Sequence, residues 1–185
     1  MEPQELSKTK RKARMHQLQA VGEALLALPV ERLRWLALPR DLAQALAEAR
    51  RLSGHFEAYR RQMQYVGRLL QPYELEPLQA LVASLCPGGA VDAQCQREAE
   101  RLAAEFLADE SVVGELLSRF PEFDVPYWRQ MRRAALKGLA AEPQDLLPRR
   151  RLVAALRHAI EATLVLTLPE RSAVETDYDE ETDDE

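Results

Sequence analysis

The stretch between residues 40 and 71 places the strongest constraint on how this chain folds. Its apolar residues recur in alternating steps of three and four, which puts them on one side of a helix. They are Leu42, Ala45, Ala49, Leu52, Phe56, Tyr59, Met63, Val66 and Leu70. No proline interrupts the run, so the pattern predicts one helix of roughly 45 Å, at ~1.5 Å per residue. We expect so long a helix to bridge two packing regions.

Helical periodicity also dominates the rest of the chain, and no segment shows the sustained alternation of a strand. Further helices are predicted to begin near Ser7, Pro29, Glu74, Asp92, Ser111, Asp124 and Arg149. The sequence therefore predicts an all-α protein. We expect an N-terminal lobe with the long helix at 1–71, a C-terminal helical lobe at 72–168, and a disordered acidic tail at 169–185.

The termini and the cysteines indicate a cellular compartment. The first residues are charged from Glu2 to Arg14, which argues against a signal peptide, and no uncharged helical run approaches the ~20 residues of a membrane span. Cys86 and Cys95 are the only cysteines, as is common in a reducing cytoplasm, although a disulfide across the turn between them is an alternative. These features predict a cytoplasmic protein without a membrane partner.

The residues that usually carry catalysis are scattered. His16, His55 and His158 lie in three different predicted helices, without carboxylates or cysteines at metal-ligand spacing. The sequence also lacks a glycine-rich phosphate loop, a nucleophile elbow and a CxxC pair. We therefore expect a protein that is not an enzyme, with no cofactor, metal or small-molecule substrate, and with its histidines on the surface or at the core edge.

The charge of the chain is unevenly distributed. The formal net charge is −5, but residues 170–185 contain nine acidic residues and one arginine. The rest of the chain is therefore mildly basic, and such a split indicates a polyanionic partner or an internal competitor for one. The tail is interpreted either as that competitor or as a solubilising appendage.

Four basic clusters are candidates for contact with a polyanion. They comprise Lys8, Lys10, Arg11, Lys12 and Arg14; Arg60, Arg61, Gln64 and Arg68; Arg129, Arg132, Arg133 and Lys137; and Arg149, Arg150 and Arg151. Cations at a helix N-terminus oppose the helix dipole, and like charges one turn apart repel, so helix stability does not explain them. Binding to the phosphate groups of RNA would explain these clusters, although each cluster is also compatible with a solvated surface.

The second cluster has the most informative spacing. Arg61, Gln64 and Arg68 are three and four residues apart, so they project from one side of the helix, which also carries Arg50. Arginine provides planar donors that suit phosphate and can stack on unpaired bases. Tyr65 lies beside the apolar stripe and is interpreted as a core residue, with a base-stacking platform as the alternative.

The same segment resembles a known family signature. Tyr59-Arg60-Arg61-Gln62-Met63-Gln64-Tyr65-Val66-Gly67-Arg68-Leu69-Leu70 is similar to a sequence of the DarP/YjgA family of bacterial ribosome-associated proteins. Similarities at 7–8, 38–42, 74–78 and 120–133 extend the resemblance over roughly residues 7–165. Gly67 matches the family glycine. A glycine within a helix costs about 1 kcal/mol, so we expect another backbone or RNA to approach it closely.

The resemblance implies an all-α fold of two three-helix lobes joined by one long helix. It also implies association with the large ribosomal subunit late in its assembly, contact with RNA around the forming peptidyl-transferase centre, and maturation without catalysis. We therefore expect a monomeric, cytoplasmic assembly factor that binds ribosomal RNA of the pre-large subunit through the four clusters. The alternatives are a helical protein–protein adaptor without RNA contact and a DNA-binding module, for which no helix-turn-helix spacing is found.

Overall fold

Helices make up most of residues 8–171, the part of the chain that the computed structural model describes. The all-α class predicted from the sequence is confirmed. Contacts divide these residues into two units, one holding 8–86 with 166–171 and the other holding Pro87–Val165. The boundaries predicted from the sequence fall instead after residues 71 and 168.

The first unit is built around its N-terminal helix. It contains α1 (Lys8–Ala27), α2 (Val30–Leu33), α3 (Arg40–Arg51), α4 (Phe56–Leu70) and α5 (Leu75–Leu85). α1 packs against α3, α4 and α5. Its apolar residues at helical spacing, Leu18, Val21 and Leu25, are all buried. Because α5 packs on α1, this unit extends to Cys86 and not only to residue 71.

The prediction of one long helix between 40 and 71 is wrong. α3 ends at Arg51 and α4 begins at Phe56, so four residues separate two shorter helices. The break contains Ser53 and Gly54, which both favour non-helical backbone. The two helices pack against each other, and Gln62 Nε2 donates a hydrogen bond of 2.9 Å to the carbonyl oxygen of Ala45. The chain therefore turns back, and both halves of the apolar stripe enter the core of one unit.

The second unit has an aromatic core. It contains α6 (Ala90–Ala108), a 3₁₀ turn (Glu110–Val112), α7 (Val113–Arg119), α8 (Val125–Leu139) and α9 (Leu147–Ala162). Trp128 is completely buried and lies edge-on to Phe106, with ring centroids 6.5 Å apart. α8 buries Trp128 and Ala135, which are seven residues apart on one side of the helix. Leu136 is exposed because it lies off that side.

Several predicted helix starts are displaced by one or two residues. α8 begins next to Asp124, as predicted, and the Asp124 carboxylate caps it by accepting a 2.8 Å hydrogen bond from the backbone N–H of Tyr127. Asp92 lies inside the first turn of α6, where it accepts from the N–H of Gly88. Asp109, and not Ser111, caps the 3₁₀ turn. Ser7, near which the first helix was predicted to begin, lies outside the described residues.

The chain returns to the first unit after α9. The C-terminal helical lobe was predicted to extend to residue 168, but its last helix ends at Ala162, where the hydroxyl of Thr163 donates to backbone carbonyls of the last turn. The strands β1 (Leu36–Ala37) and β2 (Leu166–Thr167) then pair in parallel. Arg171 forms an antiparallel bridge with Tyr73. The part of the predicted disordered tail before residue 172 is therefore paired with the first unit, and the remainder lies outside the described residues.

Two glycines allow α1 and α4 to approach closely. A Cβ atom on Gly22 of α1 would lie 2.8 Å from Cγ1 of Val66, and a Cβ on Gly67 of α4 would lie 3.0 Å from Cγ of Gln19. Both distances are shorter than ordinary van der Waals contacts. The sequence predicted a close neighbour at Gly67, and within the described residues this neighbour is α1.

We predict that Gly22→Ala destabilises the first unit by about 1–2 kcal/mol, because the added methyl group overlaps a β-branched side chain in the core. The gain in helix propensity, about 1 kcal/mol, offsets only part of this cost. Chemical denaturation followed by circular dichroism measures the difference. Gly54→Ala is the matched control, since no atom lies within 4 Å of the position of its Cβ, and it should be neutral or slightly stabilising. Equal stability of the two variants would contradict the account of the α1–α4 contact.

Candidate nucleic-acid interface

The exposed side of α4 brings together the second basic cluster. Met63, Val66 and Leu70 are buried on the opposite side of the helix. The four predicted residues Arg60, Arg61, Gln64 and Arg68 are all exposed. The contact of Gly67 with α1 fixes which side of α4 is buried, and therefore which side carries these residues.

These side chains are little engaged by the rest of the protein. Arg61 and Gln64 form no hydrogen bond or ion pair with any residue between 8 and 171. Arg60 pairs with Glu57 at 3.1 Å, but both side chains are more than half exposed, with 52% and 65% of their surface accessible. Such a surface pair contributes about 1 kcal/mol or less, so an anion can displace it. Arg68 places its guanidinium carbon 5.7 Å from the centre of the Tyr65 ring.

Two aromatic residues of α4 lie on the surface, against expectation. Phe56 is 79% exposed although the stripe placed it in the core, because the buried part of α4 begins only at Met63. Tyr65, interpreted as a core residue, is 41% exposed. No feature of the local sequence marks Phe56 as exposed, since it fits the helical period as well as the buried residues do, whereas Tyr65 lies beside the stripe.

The first cluster divides at Arg14. Lys10, Arg11 and Lys12 are exposed on the first turns of α1, whereas Arg14 is half-buried and its Nη2 donates to the carbonyl oxygen of Tyr73 at 3.3 Å. Lys8 begins α1, and its side chain lies outside the described residues. The three exposed cations form a basic arm, and Arg14 connects that arm to Tyr73, in the segment between α4 and α5.

The third cluster also divides, at Arg132. Its Nε and Nη2 donate to the carbonyl oxygens of Phe106 and Leu107 at 2.7 and 3.1 Å, and only 16% of the side chain is exposed. These carbonyls belong to the last turn of α6 and have no partner within the helix. Arg129 pairs with Glu110 at 2.7 Å. Arg133 and Lys137 are exposed and form no hydrogen bond or ion pair within the described part of the chain.

The fourth cluster lies in the first turns of α9. This helix begins at Leu147, so the three arginines follow its first two residues. Arg150 and Arg151 are exposed, and Arg149 is half-buried beside Gln96 and Glu100 of α6. Later in the same helix, Arg157 donates a 2.7 Å hydrogen bond to Glu161, and this hydrogen bond raises the pKa of the Arg157 guanidinium.

Arg50, assigned from sequence to the polar side of the long helix, has a structural role. Its Nη2 donates to the carbonyl oxygens of Leu26 and Leu28, at 3.2 and 3.1 Å. These carbonyls lie at and just beyond the C-terminus of α1, where a cation is also favoured by the helix dipole. Arg50 therefore does not share the exposed side of α4.

The side chains that could carry other chemistry are dispersed. His16, His55 and His158 are all exposed, as predicted. Cys86 and Cys95 are both free thiols, so the alternative of a disulfide is not realised, and burial raises the pKa of Cys95. Among residues 8–171, no three or more histidine, cysteine or acidic residues are grouped so as to hold a metal ion. None of the helices in this part of the chain combines the length and apolarity needed to cross a membrane.

Comparisons with known proteins add an independent line of evidence. The family described as dual-action ribosomal maturation protein DarP matches residues 4–157. A protein of that name from Aromatoleum aromaticum is 43% identical over 131 residues, which cover 71% of this chain and 68% of the relative. Its namesake from Nitrosospira multiformis is 37% identical over 140 residues, covering 74% and 76% of the two chains.

The match extends over both units and includes all four basic clusters, from Lys8 to Arg151. It also includes the α4 segment that carries the resemblance seen in the sequence. The identity of the relatives is well above the level at which similarity reflects fold alone. The chain therefore belongs to the DarP family of ribosomal maturation proteins.

Proposed function

We propose that this chain acts in ribosomal maturation, as the names of its relatives state for them, by binding ribosomal RNA of the pre-large subunit late in its assembly. The observation that carries the proposal is the exposed side of α4. There, Arg61 and Gln64 have no partner within the described residues, and Arg68 contacts only an aromatic ring. A chain of this family that exposes Arg61 and Arg68 two helical turns apart, without a carboxylate partner among the described residues, fits a phosphate-bearing partner.

The proposed mechanism is binding, without a bond being made or broken. Arginine is weakly hydrated and always charged, so it can exchange water for phosphate oxygens without changing protonation. RNA bound to such a surface is favoured in the arrangement that fits the surface best. A ligand shifts a conformational equilibrium only through such a difference in affinity. Maturation would then follow from stabilising a mature-like RNA arrangement over misfolded ones.

The cations that remain in the proposed interface are those that the fold does not use. They are Lys10, Arg11, Lys12, Arg60, Arg61 and Arg68 in the first unit, with the neutral amide of Gln64 beside them, and Arg133, Lys137, Arg150 and Arg151 in the second. Arg14 and Arg132 are committed to backbone carbonyls, so we assign them a structural role. Arg149 is half-buried and borders the interface.

We predict that the double variant Arg61→Glu/Arg68→Glu loses co-sedimentation with large-subunit particles while keeping its fold, because both side chains are exposed. Sedimentation of lysates at low and high salt measures this. For the wild type, the logarithm of RNA affinity should fall with the logarithm of salt by roughly 0.7–0.9 per phosphate contact.

Arg34→Glu/Arg51→Glu is the matched control, since it changes the net charge equally at two exposed positions of the same unit. The control should keep most of the co-sedimentation. Equal losses of co-sedimentation in both double variants would show that the change in net charge alone causes the loss. Binding of the wild type that is insensitive to salt would instead favour a protein–protein adaptor.

A second prediction separates folding from binding within α8. Arg132→Ala should destabilise the second unit by about 1–3 kcal/mol, because two carbonyls at the end of α6 lose a charged donor. Arg133→Ala should change stability by less than about 0.5 kcal/mol and weaken RNA binding. Urea denaturation and fluorescence anisotropy with labelled ribosomal RNA measure the two effects. If Arg132→Ala and the wild type unfold at the same midpoint concentration of urea, the capping role of Arg132 is wrong.

A further inference from the structure

The last described residue of the chain is held against the first unit at Tyr73. Arg171 forms an antiparallel bridge with Tyr73, and its guanidinium carbon lies 5.7 Å from the centre of the Tyr73 ring. A hydrogen bond to the Tyr73 side chain raises the pKa of the Arg171 guanidinium. Because Tyr73 is buried in the first unit, this contact anchors the chain at one place on that unit.

The anchor lies beside the basic arm of α1. Nη2 of Arg14 donates to the carbonyl oxygen of Tyr73, so the residue that anchors the chain also contacts α1. Lys10 and Arg11 precede Arg14 by four and three residues, and side chains at these spacings are neighbours on a helix surface. The cations of the basic arm form no hydrogen bond or ion pair with any residue between 8 and 171. Their charges are therefore available to an anion that starts nearby.

The direction of the chain at the anchor also leads toward this arm. Because the bridge is antiparallel, the backbone at Arg171 runs from Tyr73 back toward the end of α4, and away from α5. The end of α4 meets the first turns of α1, since Sδ of Met15 lies 3.2 Å from the position of a Cβ on Gly67. The chain thus leaves its anchor toward the helix ends between which the basic arm begins.

The sequence that follows the anchor is strongly acidic. The acidic segment, residues 172–185, contains eight carboxylate side chains and no lysine or arginine. They are Glu175, Asp177, Asp179, Glu180, Glu181, Asp183, Asp184 and Glu185. At ~3.3 Å per residue the segment can reach roughly 45 Å, far more than the ~6 Å that four helical residues rise. A tethered group also acts at an effective concentration near the millimolar range, so even weakly binding carboxylates can occupy cations of their own chain.

We propose that the acidic segment binds the basic arm of the same chain and competes with RNA for its cations. This inference rests on the proposed function and adds a regulation to it. RNA that offers only a few phosphates must displace the segment, whereas RNA that also engages the other exposed cations offsets that cost. The segment therefore weakens binding to unrelated RNA. A segment that only keeps the chain soluble needs no anchor beside unpaired cations.

Carbodiimide coupling tests the contact without RNA, because it joins a carboxylate to a lysine only where the two touch. The chain has four lysines: Lys8, Lys10 and Lys12 lie in the first turns of α1, and Lys137 lies in α8. Trypsin releases residues 172–185 as one peptide, so mass spectrometry identifies the lysines joined to it. Coupling to Lys10 and Lys12 should exceed coupling to Lys137 by about five-fold in low salt, and high salt should abolish the excess.

The competition is measured with an RNA hairpin of unrelated sequence. Deletion of residues 172–185 keeps the anchor and should raise the affinity for this hairpin by about five- to ten-fold in low salt, as measured by fluorescence anisotropy. A full-length variant with Glu→Gln and Asp→Asn at the eight acidic positions should show the same gain. It keeps the length of the chain and removes only the charge.

A comparison of two triple variants separates this contact from a change in net charge. Each neutralises three exposed cations. They are Lys10→Gln/Arg11→Gln/Lys12→Gln in the basic arm and Arg133→Gln/Lys137→Gln/Arg151→Gln in the second unit. Deletion of the acidic segment should raise affinity by less than about two-fold in the arm variant and by the full amount in the second-unit variant. Circular dichroism melting verifies that both variants fold.

The outcomes distinguish this inference from the function on which it rests. If coupling to the arm does not exceed coupling to Lys137, or if deletion leaves RNA affinity unchanged, the competition is refuted and RNA binding stands. An equal gain on deletion in both triple variants also overturns the inference, because net charge then explains the gain. If neither the wild type nor the deletion variant binds RNA or large-subunit particles, the proposed function fails, and the competition fails with it.

Discussion

The close contact between α1 and α4 is the constraint on which the first unit depends. It requires glycine on both helices, because a side chain at Gly22 or Gly67 would overlap its neighbour across the interface. Packing at this distance fixes the rotation of α4 about its own axis. One side of α4 then buries Met63, Val66 and Leu70, and the other side exposes its polar residues. The surface chemistry of the helix is therefore a consequence of where its backbone can approach another helix.

A second constraint comes from the carbonyl groups at helix C-termini, which have no partner within their own helix. Arginines satisfy several of them: Arg50 at the end of α1, Arg32 at the end of α5 and Arg132 at the end of α6. The guanidinium group suits this role because it offers several donors and a positive charge that the C-terminal end of the helix dipole favours. Some of the basic residues therefore stabilise the fold, and others stay exposed on the surface.

The division between basic residues that cap helix ends and basic residues that stay exposed bears on how a member of this family could bind its partner. Under the proposed function, the chain binds a polyanion reversibly, so the residues that contact it should not also be needed to hold the fold together. Exposed cations such as Arg61 and Arg133 meet that condition, because the protein loses no internal contact when they bind phosphate. Affinity and stability then reside in different side chains and can change independently.

Local patterns were sufficient for the fold class, for most helix positions and for the family. Helical periodicity and the signature around Gly67 are properties of residues close in sequence, so they can be recognised without knowledge of the tertiary contacts. The turn at Ser53 and Gly54 could not be read in this way, because the apolar period keeps the same phase on both sides of it. The roles of Arg50, Arg132 and Phe56 were equally hidden. Whether an arginine reaches a helix end, or a ring finds a neighbour, depends on residues distant in the chain that come close only when the helices pack.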